Sequence, residues 1–284
     1  MIDLKQCDDV CNTDPQLLQM GDVRACIDMI DEGIAHLIDY RLNLTKKVGD
    51  IKALTQTPLG LVLRPNREAD LLRRWIQHFD GKLPALAVQR LWRTLISSGC
   101  LSEQDIHLLI PGDHATQFEA IDYFGRFFPT RTYTSVEDGI SLCTKEAAHI
   151  LILNPESLTE TTFKQLCEAS DVYGLKGFLK LPFVEVSPST PVLCFGFLPL
   201  EATGSDLSLL ACYSKTGNKL PDAFFQELKE QGSKIVWQSE HQCLIERPSF
   251  LDQELAVDSE SLFPITHQEI RVKILGAYPV GVSA

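Results

Sequence analysis

The stretch VRACIDMIDEGIAHLIDYRLNLTKKVGDIK, residues 23–52, decides how the first third of the chain folds. Its apolar positions are Val23, Ile27, Ile30, Ile34, Leu37, Leu44, Val48 and Ile51. They advance by four and three residues in turn, the pattern of a helix with one apolar seam. One seam position, Arg41, carries a charge instead. From Pro15 to Thr55 the only breaks are Gly21, Gly33 and Gly49, so the spacing predicts a single helix there. At 1.5 Å per residue it is roughly 60 Å long. A helix of that length does not fit inside a compact domain of residues 16–110, so it is expected to pack on a partner chain. A guanidinium in an apolar seam needs an anion, because an unpaired buried charge is costly. Asp31, Asp39 or a ligand carboxylate can supply it.

Downstream, Gln56–Arg64 reads as a loop containing Pro58 and Gly60. A second helix is expected over Pro65–Phe79, with Leu71, Leu72, Trp75, Ile76 and Phe79 on one face. Gly81 and Pro84 separate it from a third, about Ala85–Ser98, whose stripe is Leu91, Trp92, Leu95 and Ile96. Prolines at the first turns of both agree with the fixed φ of that residue. Upstream, residues 1–15 form an acidic tail.

After Gln104 the period changes. Strands are expected at Ile106–Ile110, Ala148–Leu153, Pro191–Phe197, Leu207–Cys212 and Glu269–Leu275. Helices fall at about Ala115–Phe124, Ser135–Leu142, Thr161–Glu168 and Asp222–Gln231. Ser135-Val-Glu-Asp138 is a capping-box pattern with Asp in the place of Glu or Gln. Ser187, Pro188, Ser189 and Pro191 mark a boundary. The expected fold is an all-α three-helix domain over 16–104, then an α/β to α+β region divided into 105–190 and 191–284.

The chain has 284 residues, 44% hydrophobic and 23% charged, the composition of a folded globular protein. Its net charge of −12 argues against a nucleic-acid partner. The charge is uneven: residues 16–110 hold 12 Lys/Arg against 11 Asp/Glu, while residues 111–284 hold 13 against 23. The extra cations of the first part suit small anions. No apolar run reaches the length of a membrane span, and the N-terminus is acidic without an apolar core, so a cytoplasmic protein is expected. Nine cysteines are scattered without a CxxC, which reads as free thiols. Cys7–Cys11 alone could share a metal, but no second pair completes a site. No HxxxH or HExxH occurs, so neither metal nor cofactor is expected.

Arg24, Asp31, Ile38, Thr45 and Lys52 recur by sevens and share one stripe, with Arg41 on the adjacent seam. Arg24 and Lys52 lie roughly 42 Å apart along the helix, too far to serve one small ligand within one chain. Two antiparallel copies would bring Arg24 of one beside Arg41 and Lys52 of the other, a site for a small dianion. Arg67-Glu68 opens the second helix, where the dipole favours anions. Glu103 follows an apolar stretch, where a carboxyl group is easier to protonate.

In these residues the stretch 16–110 resembles the all-helical chorismate mutase domain. The resemblance rests on Val23–Asp31, Tyr40-Arg41, Val48–Lys52, Asn66–Leu72 and the end of the third helix. It implies a three-helix protomer, an intertwined homodimer with two shared sites, and the cofactor-free Claisen rearrangement of chorismate to prephenate in phenylalanine and tyrosine synthesis. It further implies that Arg24 of the partner chain and Arg41 grip the substrate carboxylates through bidentate forks. Lys52 donates to the ether oxygen, Glu68 accepts from the ring hydroxyl, and Arg67 supports the anionic end. Glu103 stands beside the ether oxygen, where it must be protonated to donate. The family pattern is broken at two positions: Arg64 falls where many members have aspartate, and Gly99 where some have serine. The Thr55–Asn66 loop is about three residues longer than in the family.

A weaker resemblance, to prephenate dehydratase, covers the next region. Leu109–Ala115 is similar to that family's opening Gly-Pro-x-Gly loop, and Asn154–Ser157 to its Pro-Ile-Glu-Asn-Ser turn. The Thr-Arg-Phe hallmark is replaced by Leu193-Cys194-Phe195, and one lobe's length of chain is missing, so dehydratase activity is not expected. Residues 207–279 resemble a regulatory ACT module, a βαββαβ unit, through Glu246-Arg247-Pro248 and Ile274–Pro279. This implies an aromatic amino acid as effector, or a scaffold that only dimerises or shields. Two other functions stay open: a non-catalytic ligand-sensing regulator with a helical dimerisation module, and an isochorismate-pyruvate lyase-like activity.

Overall fold

The computed structural model describes residues 5–54, 60–187, 189–251 and 269–283. It divides into two compact units, residues 1–57 and 58–284.

The first unit is a helical pair, α1 (Lys5–Asn12) and α2 (Met20–Leu54). α2 confirms the seam reading, but begins at Met20 rather than Pro15. Asp14 accepts from the Gln16 amide at 2.9 Å and closes a single 3₁₀ turn at Pro15–Leu17, after which Leu18 is extended. The expected tail instead contains α1, which folds onto α2 through the Cys7 thiol and the Cys26 carbonyl. Cys7 is buried and Cys11 exposed, so the two thiols diverge. The seam of α2 is open: Ile27 is 52% exposed, Leu37 63% and Leu44 68%.

The second unit begins with α3 (Pro65–Phe79), as expected, and α4 (Ala85–Glu103), which extends past Ser98 to include Gly99 and Glu103. Asp80 ends α3 in the left-handed region, with its amide on Ile76 O. Trp75 and Trp92 stack at 5.0 Å between the two helices. The expected stripe of α4 needs correction. Leu91 is 54% exposed, and the face turned inward is Val88, Gln89, Arg93, Ile96, Ser97 and Cys100. A polar ladder at every fourth residue can be buried there because each rung finds a partner, as described below.

Then follow β1 (His107–Ile110), α5 (His114–Phe124), β2 (Thr130–Thr132), α6 (Val136–Lys145), β3 (His149–Leu153), α7 (Glu160–Tyr173), β4 (Lys176–Leu181), β5 (Val184–Glu185) and β6 (Val192–Gly196). The chain continues through β7 (Asp206–Ser214), α8 (Asp222–Glu230), β8 (Lys234–Gln238), β9 (Gln242–Pro248), β10 (Ile270–Pro279) and β11 (Val282–Ser283). Nine strands form one sheet in the order β2-β1-β3-β6-β4-β10-β7-β9-β8. β1, β2 and β3 are parallel, and β6 runs antiparallel between β3 and β4. The last four strands are antiparallel, in the order β10-β7-β9-β8, with α8 between β7 and β8. This fits the expected βαββ start of an ACT-like unit. Residues 252–268, where that unit's second helix is expected, lie outside the described residues.

The expected boundaries at 104 and 190 do not separate compact bodies. Ala69 and Leu72 of α3 and Ile96 and Cys100 of α4 share one core with Leu108, Ile110, Phe124 and Leu181. β6, expected to open the last region, is an inner strand of the preceding one. The reason is apolar burial: the inner faces of α3 and α4 are covered by the sheet, each large side chain gaining about 1.5–3 kcal/mol. The two halves of the sheet meet at Gly177 and Gly276, where a Cβ on Gly276 would lie 2.0 Å from Gly177 O. Only glycine permits that approach.

Caps follow the sequence with one difference. Ser135 Oγ accepts from the Asp138 amide at 3.2 Å, but Asp138 returns its carboxylate to the Thr134 amide, one residue upstream. The complete capping box lies at Thr159 and Thr162.

Candidate functional site

The expected site residues divide between the two units. Arg24, Arg41 and Lys52 lie on α2, with Arg24 exposed and the other two half-buried. The helix is continuous past all three, so their spacing is fixed by helical rise: about 26 Å from Arg24 to Arg41 and about 16 Å from Arg41 to Lys52. Thr45 Oγ bonds the Arg41 carbonyl at 3.0 Å. One chain's α2 therefore cannot close all three cations around a small ligand.

Arg64, Arg67, Glu68, Gly99 and Glu103 lie on α3 and α4 of the second unit. Arg67 is exposed in the first turn of α3, where the amide ends favour an anion. Arg64, in the expected aspartate position, is turned to Glu201, its Nη1 3.1 Å from Oε1. Its backbone amide donates to Glu68 Oε1 at 3.0 Å, so a carboxylate four residues on caps α3. Gly99 is buried on α4, and Glu103 is half-buried in its last turn.

Glu68 differs most from expectation. It is 7% exposed, and its second oxygen takes a very short bond from Arg93 Nη1. Arg93 is 2% exposed, and its other two nitrogens also donate: Nε to Tyr123 O at 3.2 Å and Nη2 to Ser97 Oγ at 3.1 Å. Its guanidinium carbon lies 4.3 Å from the Tyr123 ring centroid. Burial works against the Arg93 charge, but Tyr123 and Glu68 outweigh it and raise its pKa. Burial also pushes the Tyr123 phenol well up. One turn earlier, Gln89 Oε1 accepts the Val184 amide at 3.2 Å. Sequence reading missed this network. Its signal was the four-residue step Gln89, Arg93, Ser97, a polar stripe beside an apolar one.

The motifs of the last region are also spent on structure. Glu246 is 3% exposed and binds Lys180 Nζ at 2.7 Å and the Tyr278 hydroxyl at 2.7 Å, tying β4, β9 and β10 together. Asn154 and Ser157 close their own turn, with Asn154 Oδ1 on the Glu156 amide and Ser157 Oγ on Asn154 O. Asp113 caps α5 through the Thr116 amide. Leu193, Cys194 and Phe195 are almost wholly buried in β6.

Comparison with known proteins gives a consistent result. Residues 23–104 match the family model described as chorismate mutase type II. A bifunctional chorismate mutase/prephenate dehydratase of Neisseria gonorrhoeae is 32% identical over 140 residues, which is 48% of this chain and 37% of that protein. Its counterpart in Aquifex aeolicus is 31% identical over 114 residues, 38% of this chain and 30% of the relative. These matches thus span less than two fifths of either relative's length. Among solved structures, prephenate dehydratase from Streptococcus mutans aligns with 63% of this chain and 98% of its own, at 17% identity and a TM-score of 0.41.

Proposed function

We propose that this chain, whose residues 23–104 carry a chorismate mutase type II domain, rearranges chorismate to prephenate. The observation that carries the reading is α2 within the matched stretch: one unbroken helix holding Arg24, Arg41 and Lys52 on a framework whose apolar seam is uncovered. A second copy packed on that seam supplies Arg24 to the site of the first, and the two chains form a dimer with shared sites. Arg24 of the second copy and Arg41 hold the two carboxylates of chorismate by paired N–H bonds. This folds the enolpyruvyl arm over the ring, an orientation effect. Lys52 donates to the breaking ether oxygen as it gains charge, and Glu103 stands beside that oxygen. Arg67 supports the anionic end, and Glu68, fixed by Arg93, meets the ring hydroxyl. Arg64 and Gly99 border the site. The rearrangement is intramolecular and calls on no cofactor.

The residues after 104 act as scaffold or as a sensor of aromatic amino acids, and no dehydratase step is assigned to them. Leu193-Cys194-Phe195 offers neither hydroxyl nor guanidinium, and is buried in the sheet. A cytoplasmic location is part of this proposal; no described helix is long and apolar enough to cross a membrane.

Chorismate consumption in the presence of chelator, with chromatographic identification of product, tests the proposal. Prephenate is the expected product, with no phenylpyruvate on longer incubation. Arg41→Ala is expected to lower kcat/KM by a factor of about 10²–10³, the scale of losing one aimed donor. Glu103→Gln, which places an amide donor beside the ether oxygen, is expected to hold or raise kcat/KM. Pyruvate and salicylate from isochorismate would identify a lyase instead. A second reading, a non-catalytic regulator, is favoured by Glu68, both of whose oxygens are already bonded within the chain. A folded dimer that leaves chorismate untouched would establish it.

A further inference from the structure

A cleft of about 510 Å³ lies within the second unit, between α7 and the paired ends of β7 and β9. It is separate from every residue assigned above to chorismate. α7 presents one face to it, and that face carries Glu160, Glu168 and Asp171 against a single lining cation, Lys164. Val172 gives the helix side an apolar surface over the buried Phe163, and Tyr213 does so on the sheet side. Lys273 of β10 clamps the helix at the cleft: its Nζ lies 2.7 Å from Asp171 Oδ1 and donates to Cys167 O. The Cys167 thiol in the wall is pushed up to about 12 by burial and stays neutral.

The sheet side supplies the second observation. Gln242 stands directly opposite Tyr213 in the β7–β9 ladder, so both side chains project toward α7. Gln242 is 4% exposed, and its Oε1 has no hydrogen-bond partner among the described residues. The neighbouring His241 Nδ1 is likewise buried without a partner. A buried amide oxygen left unbonded costs free energy, and such atoms are rare in folded proteins. The lining thus combines an orphan acceptor, two carboxylates (Glu160 and Glu168) that Lys273 does not pair, and an apolar floor. Each of these favours a ligand that donates hydrogen bonds, carries positive charge and has an apolar body.

We propose that this cleft binds a small amphipathic ammonium, its N–H bonds directed to Gln242 Oε1 and the carboxylates of Glu160 and Glu168, and its apolar part laid between Val172 and Tyr213. The site does not depend on the mutase reading and is measured by binding alone.

The full chain is titrated calorimetrically with 2-phenylethylamine, phenylalanine and 3-phenylpropionate, which share a phenyl body but differ in charge. The amine is expected to bind with one site per chain and tightest of the three. Gln242→Met and Glu168→Gln are each expected to weaken it by about tenfold or more, the scale of a hydrogen bond to a charged group. Gln242→Met also removes the orphan acceptor, so its melting temperature without ligand is expected to hold or rise. Glu168 is exposed, so Glu168→Gln tests the charge without risk to the core. The proposal is overturned if the amine fails to bind at millimolar concentration, or if both variants bind it unchanged. It is also overturned if phenylalanine or the propionate binds as tightly, or if Gln242→Met lowers the melting temperature by several degrees.

Discussion

α2 and α4 invert each other. On α2 the side chains that belong in a core face outward: Ile27, Ile34, Leu37, Leu44, Val48 and Ile51 are all roughly half exposed or more. On α4 the side chains that belong in water face inward: Gln89, Arg93 and Ser97 are each at most 2% exposed. The two helices are built for different neighbours. α4 has its neighbour in the same unit, and each polar rung finds hydrogen-bond partners there. α2 has a seam whose match is another apolar surface, which is why the proposal assigns a second copy to it. Polar burial gives α4 a single register, because a shift of one residue would strand a charge.

Three experiments test this contrast, and the largest effect concerns Arg93. Arg93→Ala leaves the Glu68 carboxylate buried without its cation, and is expected to cost about 3–5 kcal/mol in denaturant unfolding of the second unit. Replacing both partners, as in Glu68→Leu with Arg93→Met, is expected to cost clearly less than Arg93→Ala. If the double variant is the worse, the inward face of α4 is not held by this pair. On α2, Leu37→Asp is expected to weaken self-association by about 10–100-fold, in the range of a central interface residue. Sedimentation equilibrium measures this, and the unfolding of the second unit should not change. An unaltered association constant would remove the seam from the interface.

The smallest effect tests what an incompletely matched carboxylate does. Burial raises the pKa of Glu119 on α5, the Thr190 backbone lowers it, and Asp122 raises it again, leaving it above the ordinary 4.5. The folded state thus holds the proton more tightly than the unfolded state. The stabilisation is complete below pH 4.5 and is lost as pH rises through the folded value. Glu119→Gln is expected to flatten that part of the stability profile and to raise the melting temperature slightly at neutral pH. A profile of unchanged slope would refute it.

The parts of the fold legible in the sequence were those with a local cause. Pro65 and Pro84 marked two helix starts, and the apolar runs at Leu108–Ile110, Ile150–Leu153 and Leu209–Cys212 marked buried strands. β8 and β9 were missed because their apolar runs, Ile235–Trp237 and Cys243–Ile245, are only three residues long; β9 is defined by pairing with β7, and β8 by pairing with β9. α1 was missed because Lys5–Asn12 is mostly polar, and only its packing on Cys26 gives it a reason to fold. Of the expected site, the helix positions of Arg24, Arg41, Lys52, Arg67 and Glu68 were readable by counting. Their pairings were not. Arg64 finds Glu201 and Glu68 finds Arg93 across 137 and 25 residues, and no local rule connects such distances.

β4 and β6 are antiparallel neighbours, so the chain leaves the sheet at Leu181 and re-enters at Val192 almost where it left. Between them, Glu185 to Ser187 and Ser189 are exposed, beyond the short pairing of β5 with β11. The loop therefore works as a socket. Closure entropy grows only with the logarithm of loop length, so a long excursion there costs little more than a short one. A whole folded body could be spliced in or cut out at this one point while every strand of the sheet kept its partner.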